Sequence, residues 1–176
     1  MAMKSTANAY GWMAMTLHWA SALLIIGLIG SGLTSTSLPV EAKPDVLRVH
    51  VPVGTLVLVL TLFRIVWWWV LDRKPQPVEG SGGAQAFAAR AVHLLFYVAI
   101  VALAGSGLAL IALSGAGDVL RGGEGVLPDL WQFPPRVAHR VLAFSLIVLL
   151  AFHVGAALWH HFVKRDATLG RMVGRG

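Results

Sequence analysis

Four long apolar stretches interrupt the chain, at residues 12–33, 49–71, 88–113 and 137–163. Each is near or above the roughly 20 residues that a helix needs to cross a bilayer, so all four are expected to be transmembrane helices. The segments between them are rich in turn formers: Ser35 to Pro44, then Lys74-Pro75-Gln76-Pro77 through Gly80-Ser81-Gly82-Gly83, then Ser114 to Pro135. These read as loops, not strands. The pattern predicts an all-α integral membrane four-helix bundle forming one domain over residues 1–176. The first stretch follows Lys4 in the manner of a signal peptide, with small residues near Gly30-Ser31-Gly32. Its apolar part is long for that role and contains His18 and Trp19, so a span is the preferred reading. Along its length the chain offers no evident sequence repeat or low-complexity tract.

Composition agrees with the bilayer as solvent. The chain is 57% hydrophobic and 12% charged, with a mean hydropathy of +0.73. A net charge of +6 raises the question of nucleic acid, but the basic residues sit at span ends and in loops rather than on one polar face, so no nucleic-acid partner is expected. Lys4, Arg73, Lys74, Arg90, Lys164, Arg165, Arg171 and Arg175 fall on one side, against Lys43, Arg48, Arg121, Arg136 and Arg140 on the other. Eight against five predicts that both termini are cytoplasmic, in a multi-pass protein of the bacterial inner membrane. Trp12, Trp67, Trp68, Trp69 and Trp159 then fall at the cytoplasmic interface, where indoles prefer to sit. Cysteine is absent, which excludes disulfides, thiolate-bound iron–sulfur or zinc centres and covalent c-type haem. A cofactor must be held by histidine or carboxylate, and there are seven histidines.

An ionisable side chain inside a span is costly and points to function. In the fourth stretch His139 and His153 are 14 residues apart, close to four turns. They project from nearly one face, about 21 Å apart along the axis, which places one in each leaflet. His18 lies six residues inside Trp12, and His153 six residues before Trp159, so these two match in depth. His50 and His139 both begin their spans and match at the other side. A lone membrane histidine is often a bundle residue hydrogen-bonded to a neighbour. Four at two matched depths predict two b-type haems, with His18 and His153 on the inner iron and His50 and His139 on the outer.

Other residues cluster with these. Arg64 is 14 residues from His50, in the cytoplasmic half, where it either pairs with an inner-haem propionate or snorkels to the interface. Arg48, Arg136 and Arg140 surround the outer pair; they either hold outer propionates or end helices. Gly54, Gly105, Gly107 and Gly155 offer clearance for a flat macrocycle or plain helix contact. His93 is an alternative inner ligand, and His93, His160 and His161 all lie toward the cytoplasmic side, as candidates for a quinone site.

Thr16-Leu17-His18-Trp19, Arg48-Val49-His50-Val51-Pro52-Val53-Gly54, Ala91-Val92-His93-Leu94-Leu95-Phe96-Tyr97, Ala138-His139-Arg140, and His153 through Leu158-Trp159-His160-His161-Phe162 resemble the bacterial cytochrome b561 family, essentially end to end. That family is related to the b-haem membrane subunits of nickel-iron hydrogenases and formate dehydrogenases. The resemblance implies inner ligands His18 and His153 and outer ligands His50 and His139. It extends to stand-alone members that oxidise superoxide at the periplasmic face and pass electrons to ubiquinone.

Two functions of different class follow. One is a superoxide:quinone oxidoreductase, in which Arg48, Arg136 and Arg140 at the outer mouth draw in a small anion. The other is the membrane anchor of a hydrogenase or dehydrogenase, with a redox protein as donor and the quinone pool as acceptor; such subunits usually carry longer loops for docking. A histidine-using ion or metal transporter is disfavoured, because the spans lack acidic pairs and broken helices.

Overall fold

The protein is described by a computed structural model over residues 2–78 and 82–174. Gly80 and Ser81 of the predicted turn-rich run, and Arg175 of the basic set, lie outside the described residues. Four helices are long and apolar enough to cross a membrane. They are α1 (Trp12–Ser37), α2 (Lys43–Val66), α3 (Gly83–Ser114) and α5 (Pro134–Trp159), joined by short elements that include α4 (Ala116–Leu120) and followed by α6 (Thr168–Met172). No strand occurs among the described residues. The chain is an all-helical bundle of four spans, as the hydropathy predicts.

The helices run past the apolar stretches that announced them. α1 continues to Ser37, with the Thr36 and Ser37 hydroxyls donating back to the Leu33 carbonyl, so polar residues at the interface stay helical. α2 begins at Lys43 because Pro44 sits in its first turn, where a missing N–H costs nothing. Pro134 and Pro135 start α5 in the same way. α2 and α5 each end in a single π-helical turn, Trp67–Leu71 and His160–Lys164. The third predicted loop is partly helical: it holds α4 and a 3₁₀ turn, Leu130–Gln132.

α1 packs against α2, α2 against α3, and α3 most closely against α5, while the backbone of α5 approaches α1 and α2 only sparsely. One cluster of buried apolar side chains takes a residue from each spanning helix: Ile25, Val57, Ile100 and Leu146. Leu146 lies seven residues from His139 and seven from His153, so this apolar layer sits between the two histidine levels. Outward-facing side chains are apolar; Leu23 is 69% and Phe152 73% exposed, as a lipid-facing surface requires.

Both termini lie at one end, called proximal here; the other end is distal. At the proximal end residues 2–11 fold back as a strap. Asp72 accepts from the Ser5 backbone N–H and hydroxyl and from the Trp67 indole. Gln76 N–H donates to the Ala7 carbonyl, Arg171 donates to the Gln76 carbonyl, and Trp19 Nε1 donates to the Met172 carbonyl. Gly11 is required where the strap meets α1, because a Cβ there would lie 2.3 Å from the Met3 carbonyl oxygen.

Candidate haem sites between paired histidines

The gap between α5 and its two looser neighbours is bridged by two pairs of imidazoles. At the proximal level the ring centroids of His18 and His153 are 6.2 Å apart; at the distal level those of His50 and His139 are 6.3 Å apart. Two metal–imidazole bonds of about 2.0–2.1 Å, plus half a ring width on each side, place centroids about 6.3 Å apart across a shared ion. Both pairs therefore have room for one iron between two nitrogens. No group of three His, Cys, Asp or Glu that could hold a metal ion occurs among the described residues. The donor set suits a macrocycle that supplies its own equatorial nitrogens.

At the distal level the imidazoles are set in the tautomer a metal needs. The Ser31 hydroxyl donates to the Leu28 carbonyl, so at 2.8 Å it accepts from His50 Nδ1–H. His139 Nδ1 is 3.0 Å from the Leu103 carbonyl and 3.2 Å from the Ser106 hydroxyl, which itself donates to Leu103. With Nδ1 carrying the proton, Nε2 of both rings keeps its lone pair free. A cavity of about 530 Å³ opens here, lined by His50, His139, Gly32, Gly54, Gly107, Arg136, Arg140 and Trp131 among others. That is within the size range of cofactor pockets. A Cβ on Gly107 would lie 3.1 Å from His139 Cε1, so this glycine is where the ring passes α3.

The proximal level is polar and cationic. Arg64 Nη2 lies 3.3 Å from His18 Nδ1, and Arg64 Nε and Ser21 Oγ, one turn on from His18, are buried without partners. An arginine so placed calls for an anion, and a haem propionate fits. Just outside the span, burial and the like charge of Arg64 hold the Lys74 ammonium below its usual range.

His93 reaches the same place. Its ring centroid is 5.9 Å from that of His153, and its Nδ1–H donates to the Ala89 carbonyl at 2.6 Å. It therefore remains a neighbour able to present Nε2 to the proximal level. The other predicted residues separate. Arg136 and Arg140 flank the indole of Trp131, at 4.8 and 5.3 Å from its centroid, at the mouth of the distal cavity. Arg48 does not line the cavity: it pairs with its (i, i+3) neighbour Asp45 at 3.1 Å and donates to the Val119 carbonyl. Gly54 and Gly107 line the cavity, whereas Gly105 and Gly155 face outward. His160 is tied to Asp166, Gln85 and Thr168, and His161 is exposed against Phe162. Hydrogen bonds from Thr168 and His160 keep the Asp166 carboxyl below its usual range although burial opposes them. Ser31, Ser106, Gly32 and Trp131 escape a reading based on titratable residues. For Ser31, Gly32 and Ser106 the signal was the Gly-Ser-Gly run on α1 and on α3 that faces each distal histidine, whereas Trp131 carried no signal of that kind.

The prokaryotic cytochrome b561 family profile matches residues 9–175. The chain belongs to that family. It is 29% identical to cytochrome b561 homolog 2 of Escherichia coli K12, over 99% of this chain and 96% of the relative. It is 31% identical to cytochrome b562 of Cereibacter sphaeroides, over 93% and 94%. It is 27% identical to the probable superoxide oxidase CybB of Yersinia pestis, over 93% and 95%. Membership in the cytochrome b561 family makes this chain a multi-pass bacterial membrane protein of electron transfer that binds b-type haem.

Proposed function

We propose that the chain holds two b-type haems, one between His50 and His139 and one between His18 and His153, and moves electrons across the membrane from a periplasmic donor to a quinone. The observation that supports this is the pair of imidazole separations, 6.2 and 6.3 Å, at two levels of one helix. When bound, the haems supply one-electron storage at each level. The protein's own part is to present Nε2 at the distal level through the Ser31 and Leu103 hydrogen bonds, to neutralise a proximal propionate with Arg64, and to keep Ile25, Val57, Ile100 and Leu146 dry between the levels.

With both termini cytoplasmic, the distal mouth is periplasmic. The donor is superoxide, drawn to Arg136 and Arg140. Two superoxide anions give up one electron each and leave as dioxygen, and one ubiquinone takes both electrons and two protons to become ubiquinol. The likeness to the probable superoxide oxidase CybB supports this donor. His93 and His160 are the proximal residues from which a quinone's protons come. The test is stopped-flow spectroscopy of the purified protein. A superoxide pulse is expected to give reduced b-haem bands, and added ubiquinone to reoxidise them. Haems that stay oxidised under superoxide, yet accept electrons from an iron–sulfur protein, would assign the chain to the membrane-anchor class.

A further inference from the structure

The distal hydrogen bonds expose a repeat that the apolar background conceals. Gly30-Ser31-Gly32-Leu33 on α1 and Gly105-Ser106-Gly107-Leu108 on α3 are the same tetrapeptide, offset by 75 residues. The same offset relates the core residue Ile25 to Ile100, the acceptor carbonyl of Leu28 to that of Leu103, and His18 to His93. On the partner helices an offset of 89 residues relates His50 to His139, core Val57 to core Leu146, and Arg64 to His153. The contacts repeat as well as the letters. Ser31 faces His50 Nδ1 and Ser106 faces His139 Nδ1; a Cβ on Gly32 would lie 3.6 Å from His50 Cε1, and one on Gly107 3.1 Å from His139 Cε1.

We propose that the chain is two copies of one helical hairpin, α1–α2 and α3–α5, and that the serine of each Gly-Ser-Gly-Leu segment is a positioning residue that fixes the distal histidine of its own hairpin. The proposal rests on the reading that His50 and His139 hold a haem. It makes the distal site two-fold symmetric and the proximal site its broken counterpart. At the distal level each copy contributes one histidine. At the proximal level the copies have diverged: His18 and His153 form the pair, while their equivalents, His93 and Arg64, remain beside it as a second imidazole and a cation. One proximal haem follows from that divergence, since a symmetric protein would have offered two equivalent pairs.

An imidazole that donates Nδ1–H to a hydroxyl is a stronger electron donor to iron and stabilises the oxidised state. Removing the acceptor is therefore expected to raise the distal midpoint potential. Ser31→Ala and Ser106→Ala, purified as holoproteins, are compared by redox titration with optical spectra and haem content. Both are expected to keep two haems and to raise the potential of the distal haem alone. Ser31→Ala should shift it further, because His139 retains the Leu103 carbonyl at 3.0 Å. Ser31→Thr and Ser106→Thr, which keep the hydroxyl, should restore the starting value. An unmoved distal potential, or an equal shift in both haems, would overturn the proposal. His50→Ala and His139→Ala separate it from the underlying reading: if they lose no haem, the ligand assignment fails, whereas loss of the distal haem alongside inert serine variants sinks only the positioning role.

Discussion

An imidazole can bind iron through one nitrogen only when the other carries the proton, so the ligand residues cannot be judged apart from what fixes their tautomer. His139 has its Nδ1 held by Leu103 and Ser106, and replacing it with alanine should empty the distal level alone. Haem content is expected to fall to about half, with the proximal low-spin spectrum intact. His153→Ala should do the converse. Haem assay and reduced-minus-oxidised spectra of the two variants check both, and an unchanged low-spin spectrum would remove that residue from the ligand set. Gly107 makes a steric version of the same point. A valine there puts branched carbon into a ring that a bare Cβ already approaches to 3.1 Å, and overpacking of this kind costs about 1–3 kcal/mol. Gly107→Val should lower the thermal midpoint and the distal haem occupancy together. Titratable residues were legible from the sequence because burying them in lipid needs a reason. Ser31 and Ser106 were not, since a serine in an apolar helix ordinarily satisfies itself on its own preceding carbonyl, and both of these do.

At the scale of the element, α5 is the ruler for the molecule: it alone contributes a histidine to both levels, and their facing depends on an unbroken helical register over Pro134–Trp159. One alanine inserted after Leu146 would rotate everything beyond it by about 100° and advance it about 1.5 Å. The inserted protein should keep the distal haem and lose the proximal one. Retention of both, read from haem content and the split of the reduced α-band, would mean that His153 is not held by the register of α5. Helix number and depth were readable from hydropathy alone, whereas the ends were not. Apolarity marks the hydrocarbon, but a helix continues wherever hydroxyls satisfy its last carbonyls or a first-turn proline removes a donor that would lack a partner, as at Ser37 and Lys43. The turn that carries Trp131 was hidden for a related reason. It is a single 3₁₀ turn whose only local signature is the Asp129 carboxylate accepting from the Trp131 N–H.

Over the whole molecule the two ends differ in how they are closed. The proximal end is shut by the strap, and its clamp is titratable. Burial works against the Asp72 anion, but donors from Ser5, Arg73 and Trp67 outweigh it and hold the carboxyl below the usual range. With the strap released the Ser5 donors are lost and the carboxyl moves back toward the ordinary carboxylate range. The clamp's contribution is therefore complete above that range and is lost as pH falls through the lower, docked value. The protection factors of residues 2–11 against hydrogen exchange should fall in acid, and Asp72→Asn should leave them low at every pH. The distal end is instead an open, positively charged mouth. Arg136 and Arg140 flank Trp131 beside the 530 Å³ cavity, and no carboxylate pairs with either among the described residues. Two free guanidiniums over a cavity attract a small anion at a distance, and salt shortens that reach to about 10 Å at 0.1 M. If superoxide is the donor, haem reduction should slow as salt is added. Arg136→Gln should slow it at low salt and flatten the dependence, while ubiquinone turnover at the other end stays as it was. Arg136 is a cleaner probe than Arg140, which adjoins His139 in the chain, or Arg48, which is already committed to Asp45. A reduction rate indifferent both to salt and to Arg136→Gln would mean that charge does not steer the donor, and a docked protein would then be the better partner for this mouth.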